Sequence, residues 1–235
     1  MFNRTSTTIL KQTFLGILLF SLSSLSLGAP LQLNGLTTYE KLRKEYFIAG
    51  LYLEQTEKDA EKILAANQSQ RMEMRVTDDR LSPRTFAKIW NESIVINNSP
   101  EDLETYNKDM VTFVTMLQGK LVTGDQVVIN YIPGKSTIAS VNGAKIAEFS
   151  AGFYPLLLRT WIGPRPSTSD FKRDLLSAGK VDSQLASRYE TIVPLDSRKK
   201  IVAVWASGGE ESDTDNSAQI AAAKAQAEAE AAAAK

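Results

Sequence analysis

Few side chains in this sequence can carry out acid–base or nucleophilic chemistry. The 235 residues include 27 basic and 27 acidic side chains, but no histidine and no cysteine. The absence of histidine excludes Ser-His-Asp triads, His-ligated zinc and His-ligated haem. Without cysteine there are no disulfides, so burial of apolar surface must stabilise the fold. Any chemistry must therefore come from carboxylates, hydroxyls, amides and cations.

Two pairs of carboxylates are candidates for a bound cation. Asp78 and Asp79 precede an arginine and a Ser-Pro dipeptide, a setting typical of a polar turn. Asp213 and Asp215 have the alternate spacing of a calcium loop, but the glycine and the closing glutamate of such loops are missing. We therefore predict no metal site and no cofactor.

Cations, hydroxyls and aromatic rings are the candidates for contacts with a ligand. Arg43 and Lys44 either bind a ligand carboxylate or are solvated strand residues. The hydroxyl of Thr160 either contacts a ligand or bonds to a carbonyl of its own helix. Five aromatic residues either line an apolar cleft or fill the core: Phe47, Trp90, Phe113, Phe153 and Trp161.

The N-terminus has the pattern of a secretory signal peptide over residues 1–28. Arg4 and Lys11 supply a positive region, residues 14–20 are apolar, and small residues lead to a cleavage site after Gly28. The alternative is an uncleaved anchor, although the apolar stretch is shorter than the ~20 residues of a spanning helix. We expect a periplasmic or secreted bacterial protein without a transmembrane span once the signal is removed.

Charge argues against nucleic acid as a partner. The whole chain is neutral, and loss of Arg4 and Lys11 leaves two more acidic than basic residues. No stripe of lysine or arginine supplies the electrostatic footprint of nucleic-acid binding. Small molecules and proteins remain as partner classes.

Hydrophobic periodicity predicts an α+β fold. Asn34-Gly35 is a hairpin turn signal. Strands are predicted at residues 39–54 (as a pair), 72–76, 126–132, 137–141 and 145–149. Helices are predicted at residues 56–66, after Ser82-Pro83, after Ser99-Pro100, at residues 151–161 and after Ser169-Asp170. Helices grouped between strands favour an antiparallel sheet packed against a layer of helices.

The C-terminal part divides by composition into two further segments. Residues 181–207 form an extension in which Arg198 to Ala206 is predicted as one more strand. Residues 208–235 combine an acidic linker with an alanine-rich tail of high helix propensity. A protein partner that binds this tail is one open alternative for function.

Turn and strand motifs between Leu33 and Gly179 resemble the chalcone-isomerase-like family. The markers are Asn34-Gly35, AGLYL at 49–53, Gly124-Asp125, YIPG at 131–134, Asn142-Gly143, Trp161-Ile162-Gly163, and Phe171-Lys172 to Leu175-Leu176. Their order and spacing together carry the resemblance. It implies an open-faced β-sandwich, in which a large antiparallel sheet is separated from helices by a cleft. It also suggests an exported, non-catalytic bacterial branch.

Only part of the family's catalytic set is matched. In the plant enzymes an arginine, two threonines, a tyrosine and an asparagine hold the enone oxygen and water, and Thr160 and Asn91 match two of these positions. Tyr39, Phe47 and Arg84 occupy the other three, although Arg43 is a candidate substitute cation. The catalytic candidates are thus Thr160, Asn91 and Arg43.

Because the chain resembles the family but matches only two of its five catalytic positions, we predict that it binds a ligand without catalysing a reaction. Family members that lack the catalytic residues resemble binders of fatty acids or other apolar ligands. We predict a small apolar or amphipathic, fatty-acid-like ligand in the sheet–helix cleft, contacted by Phe47, Trp90, Phe113, Phe153, Thr160 and Trp161. Two alternatives remain open: an intramolecular lyase or isomerase acting on an enone, and an interaction platform that uses the tail.

Overall fold

A six-stranded antiparallel sheet lies at the centre of the fold. The computed structural model of the chain describes residues 30–207. The strands are β1 (Gln32–Lys41), β2 (Lys44–Leu53), β3 (Gln70–Val76), β4 (Gln126–Ile132), β5 (Ser136–Val141) and β6 (Ala144–Ser150). They lie side by side in chain order, and each pairs antiparallel with the next. The predicted signal peptide (1–28) and tail (208–235) fall outside the described residues.

Eight helices complete the described part of the chain, and most pack on one face of the sheet. They are α1 (Ala60–Ala65), α2 (Pro83–Asn97), α3 (Pro100–Thr105), α4 (Asn107–Thr115), α5 (Phe153–Ile162), α6 (Ser169–Leu175), α7 (Ser183–Thr191) and α8 (Asp196–Ala206). None of those in the described part is long and apolar enough to cross a bilayer. The predicted α+β class, an open-faced sheet packed against a layer of helices, is confirmed.

Alternation along the strands builds the main core between the sheet and the helices. On β2 the side chains of Phe47, Ala49 and Leu51 are at most 1% exposed. Ala49 pairs with Met74 and Leu51 with Met72 on β3, so these residues share the face that the helices cover.

Serine caps begin two of the helices where the sequence predicts them. Ser82 accepts from the Thr85 amide at 3.1 Å, and Ser99 accepts from the Asp102 amide at 3.1 Å; a proline follows each serine. The helical pattern after Ser99 is interrupted at Tyr106, which separates α3 from α4. The first predicted helix is shorter than expected, because α1 begins at Ala60 after an Asp59 cap.

The Asn34-Gly35 dipeptide lies inside β1, so its prediction as a hairpin turn is wrong. The strand bulges there, and a Cβ on Gly35 would lie 2.2 Å from the Asp174 carbonyl oxygen. The side chain of Asn34 donates through its Nδ2 to the backbone carbonyl of Leu175 at 2.8 Å, and its Oδ1 accepts from the backbone N–H of Glu57 at 2.8 Å. The same residue types suit a bulge or a close backbone approach as well as a turn, which explains the error.

The turn between β1 and β2 is made instead by Leu42 and Arg43. Their φ angles are 54° and 63°, so both occupy the left-handed region that a two-residue type I′ hairpin requires. Asparagine and glycine adopt this conformation at less cost than leucine and arginine. Leu42 is 94% exposed at the tip of the turn.

The predicted C-terminal strand is also wrong, because Arg198 to Ala206 lies within helix α8. Its β-branched and aromatic residues favour a strand by propensity. In the structure, however, Ile201, Val202 and Trp205 share one helical face and join the main core. Packing against that core outweighs the local preference, and the extension is an integral part of the fold.

A buried ion pair fixes α8 to the start of β4. The Arg198 guanidinium donates to both Asp125 carboxylate oxygens, at 3.1 and 2.7 Å, and Asp125 is 0% exposed. The carboxylate also accepts from the Asn142 side chain at 2.8 Å and from the Val122 amide at 2.9 Å. We refer to Arg198, Asp125 and Asn142 as the α8 clamp.

Helix α7, which the sequence pattern did not predict, covers part of the opposite face of the sheet. The Tyr189 hydroxyl lies above Gly50 and 3.0 Å from the Tyr52 hydroxyl. The Arg75 guanidinium lies 3.9 Å from the centre of the Tyr189 ring and donates to the Tyr189 carbonyl at 2.6 Å. Burial raises the pKa of Tyr189, so its phenol stays neutral and available for hydrogen bonds.

Candidate functional site

Five aromatic side chains meet between the β1–β2 end of the sheet and the helices α2, α5 and α6. Trp90 stacks against Trp161 with ring centroids 6.2 Å apart, and Tyr39 stacks on Phe47 at 4.7 Å. Phe171 meets both pairs edge-on, at 5.9 Å from Tyr39 and 6.0 Å from Trp161. We call these five residues the aromatic cluster. They come from five different elements, so the whole fold is needed to assemble them.

A small pocket lies within the aromatic cluster. Its volume is about 10 Å³, and its lining consists of the five rings, Ile89 and three hydroxyl residues, Ser93, Thr160 and Ser167. A water molecule needs a volume of about 10–15 Å³, so the pocket can hold at most one water molecule. In this conformation the sheet–helix interface is closely packed.

An open depression lies directly outside the pocket. It has a volume of about 310 Å³ and is lined by Thr38, Glu40, Leu42, Ser167, Thr168 and Phe171. Ser167 and Phe171 line both spaces and so form the boundary between them.

The polar groups around the pocket are neutral. Burial raises the pKa of Tyr39, although Lys41 and a hydrogen bond with Ser167 oppose the shift, so the phenol keeps its proton near neutral pH. The Thr160 hydroxyl donates to the Leu157 carbonyl at 2.7 Å, within its own helix. The indole Nε1 of Trp90 is buried and has no hydrogen-bond partner in the described part of the chain.

The structure brings four of the six predicted ligand-contacting residues together. Phe47, Trp90, Thr160 and Trp161 line the small pocket. Phe113 and Phe153 do not line it: Phe113 packs perpendicular to Trp90 at 5.0 Å, and Phe153 lies a further 5.9 Å from Phe113. These two rings fill the core behind the pocket.

The three catalytic candidates do not converge. Arg43 is exposed in the β1–β2 turn, Asn91 is exposed on α2, and neither lines the pocket. Thr160 is the candidate that reaches the pocket, and its proton is already donated to Leu157. These residues do not form an oxyanion site in the described conformation.

Several residues of the pocket were not predicted. The sequence places Tyr39 at the start of a strand pair and at an expected arginine position, and it places Phe171 in the last short helix as one of the family markers; neither is predicted to contact a ligand. Ser93 and Ser167 carry no sequence signal at all, since Ser93 is one of many polar residues on α2 and Ser167 lies in a loop. No group of three or more metal-ligating side chains occurs among residues 30–207.

Comparison with known families identifies the fold and its lineage. The sequence profile of the chalcone isomerase-like family matches residues 22–177. The chain belongs to this family. No curated protein matches the sequence. The family match ends just after α6, so helices α7 and α8 lie beyond it.

Among solved structures, a fatty-acid binding protein from Arabidopsis thaliana has the same fold. The TM-score is 0.51 at 14% sequence identity, and the alignment covers 69% of this chain and 92% of the plant protein. At this identity the likeness concerns the fold. It is consistent with the antiparallel sheet and helix layer of the chalcone isomerase-like family.

Proposed function

We propose that this chalcone isomerase-like protein binds a small apolar or amphipathic ligand, of the fatty-acid type, without transforming it. The bound chain would lie between the sheet and the helices at the aromatic cluster. The observation that carries the proposal is the pocket within the aromatic cluster, which is lined by Trp90, a residue whose buried Nε1 has no hydrogen-bond partner among residues 30–207. Family membership and the fatty-acid binding of the plant relative support the same ligand class.

Binding must be accompanied by opening of the interface. Ligand pockets usually measure about 300–1,000 Å³, whereas the pocket within the cluster measures about 10 Å³. The adjacent depression, of about 310 Å³, has the required size. A ligand chain would enter through the depression and displace the ring of Phe171, which lies on the seven-residue helix α6.

Catalysis of the enone type is the less favoured alternative. It needs an electrophile and hydroxyls around one oxygen atom, but Arg43 and Asn91 are exposed and do not line the pocket. A panel of chalcones and simpler enones incubated with the protein checks this point. Turnover that is lost in Arg43→Ala would overturn the non-catalytic proposal.

The proposal also covers export of the protein through its N-terminal segment and, as an alternative function, a binding role for its C-terminal tail. Residues 1–28 would direct the protein to the periplasm or to the outside, because they have the three regions of a signal peptide. The close packing of the aromatic cluster also keeps a second function open, in which the domain is a platform and residues 208–235 bind a partner. Deletion of the tail should then change the set of proteins that co-purify.

A variant that blocks the entrance tests the binding proposal. Ser167 is exposed at the boundary between the depression and the pocket. We expect Ser167→Trp to abolish binding of ten-carbon ligands measured by calorimetry. Ser169→Trp, two residues away on the exposed start of α6, is the matched control and should bind normally. Equal binding by both variants would place the ligand elsewhere.

A further inference from the structure

The Trp90 indole is one of several buried polar groups that have no hydrogen-bond partner among residues 30–207, and it belongs to a residue that lines the small pocket. Trp90 is 2% exposed, and its Nε1 hydrogen has no acceptor within the described residues. A buried donor without an acceptor destabilises the folded state, so such groups are rare and call for an occupant or a role. An indole can only donate, so the missing partner is a hydrogen-bond acceptor.

The small pocket beside Trp90 offers a place for such an acceptor. Its volume is about 10 Å³, enough for one polar atom, and hydroxyl groups of Ser93, Ser167 and Tyr39 belong to its lining. These hydroxyls can either donate or accept. An oxygen atom in the pocket would be surrounded by Trp90 and by hydroxyl residues that can supply a second hydrogen bond.

The charges around the pocket disfavour an anion. None of its lining residues carries a charge at neutral pH. The nearest cation on β1, Lys41, is already paired with Glu92 of α2 at 3.1 Å, and Glu40 lines the depression outside. A carboxylate moved into this environment would lose its hydration without gaining a counter-ion, which is strongly unfavourable.

We propose that the pocket holds the uncharged polar end of the ligand, a hydroxyl or carbonyl oxygen that accepts from the Trp90 indole, and that it selects against free carboxylates, so that the ligand resembles a fatty acid in its hydrocarbon chain and not in its head group. The inference rests on the proposed function, because it specifies the head group of the apolar ligand suggested there. The hydrocarbon chain would extend past Phe171 into the depression. Trp90 is then a specificity-determining residue.

Calorimetric titration with ligands of equal chain length tests the head-group preference. The probes are 1-decanol, 2-decanone and sodium decanoate at pH 8, added to the full-length protein. We expect the alcohol and the ketone to bind at least tenfold more tightly than decanoate. Trp90→Phe keeps the ring but removes the N–H, and should weaken the alcohol and the ketone about five- to tenfold, in keeping with one neutral hydrogen bond, while leaving decanoate unchanged.

Two further variants keep the test decisive. Trp205→Phe removes an indole from α8, where the ring lies against Gly119, and should leave all three affinities unchanged. Ser93→Ala, half-buried on α2, gives a second reading of the polar contact if Trp90→Phe does not fold; it should weaken the neutral ligands selectively.

The outcomes separate the head-group inference from the binding proposal. Decanoate that binds as tightly as decanol overturns the inference while leaving ligand binding intact. The same follows if Trp90→Phe weakens all three ligands equally, because ring packing would then be responsible. Absence of binding by every probe overturns both statements, and the pocket would then hold only water.

Discussion

Replacing Arg198 with methionine removes the cation of the α8 clamp while preserving much of the side chain's apolar volume. The partner, Asp125, is 0% exposed and would keep only the Asn142 and Val122 hydrogen bonds. Breaking a buried ion pair on one side typically costs about 3–5 kcal/mol, because the remaining charge is uncompensated. This is a large share of the roughly 5–15 kcal/mol that stabilises an ordinary domain.

Urea unfolding followed by circular dichroism measures this loss. With a slope of about 2.5 kcal/mol per molar urea, a loss of about 4 kcal/mol lowers the midpoint by about 1.5 M. Lys199→Met is the matched control on the same helix. Lys199 pairs with Asp196 at 2.9 Å on the surface, and its loss should cost less than about 0.5 kcal/mol.

A double variant identifies the source of the effect. Arg198→Met combined with Asp125→Asn removes both charges and should be more stable than Arg198→Met alone, because no buried charge is left unpaired. If the midpoint of Arg198→Met lies within about 0.2 M of the Lys199→Met midpoint, α8 is not fixed by the clamp. The view of the extension as an integral part of the fold would then be wrong.

Three further predictions concern the sheet and its turns. Gly35→Ala should lower the free energy of unfolding by about 3 kcal/mol or more, because the added Cβ would lie 2.2 Å from a carbonyl oxygen of α6. Leu42→Asn combined with Arg43→Gly should raise the free energy of unfolding by about 1–2 kcal/mol, since both positions have positive φ. Burial alone would raise the pKa of Glu45, but hydrogen bonds with Arg188 and a threonine lower it overall. That pair therefore stabilises the fold above pH ~4.3, and the contribution is lost as the pH falls below this value. Arg188→Met should cost less than about 1 kcal/mol at pH 7, and less at pH 3 than at pH 7.

Urea unfolding is again the measurement, and each prediction has its own contrary result. Gly134→Ala is the control for Gly35→Ala: it has open space but a φ of 65°, and should cost only about 1 kcal/mol. Equal losses for both alanines would argue against the close approach of α6. If Leu42→Asn combined with Arg43→Gly has a lower free energy of unfolding than the unmodified protein, Leu42 makes a stabilising contact that the variant loses. A cost of Arg188→Met that is the same at both pH values would remove Glu45 as its partner.

Local signals predicted much of the fold because they act over a few residues. Serine followed by proline marks the starts of α2 and α3, and strict alternation marks β3 and β4. The errors occurred where distant contacts decide the structure. The strand preference of Ile201 and Val202 is outweighed by packing against the core, and Gly35 serves the approach of α6 instead of a turn.

The candidate site was predictable only in its apolar half. Phe47, Trp90 and Trp161 lie on elements whose buried faces follow from periodicity, so their convergence could be expected. The hydroxyl groups of Ser93 and Ser167 reach the pocket through tertiary geometry that no spacing in the sequence encodes. Arg43 and Asn91, inferred by matching positions to a family, are exposed.

Native mass spectrometry of the full-length protein, exported by its own N-terminus, tests the central claim most directly. We expect a protein mass consistent with cleavage after Gly28, together with one additional mass that organic solvent extracts as a single-chain, uncharged lipid. Adding 1-decanol to the extracted protein should restore a one-to-one complex. A protein that is isolated empty, and stays empty with decanol, would contradict the claim that this family member is a binder of apolar ligands.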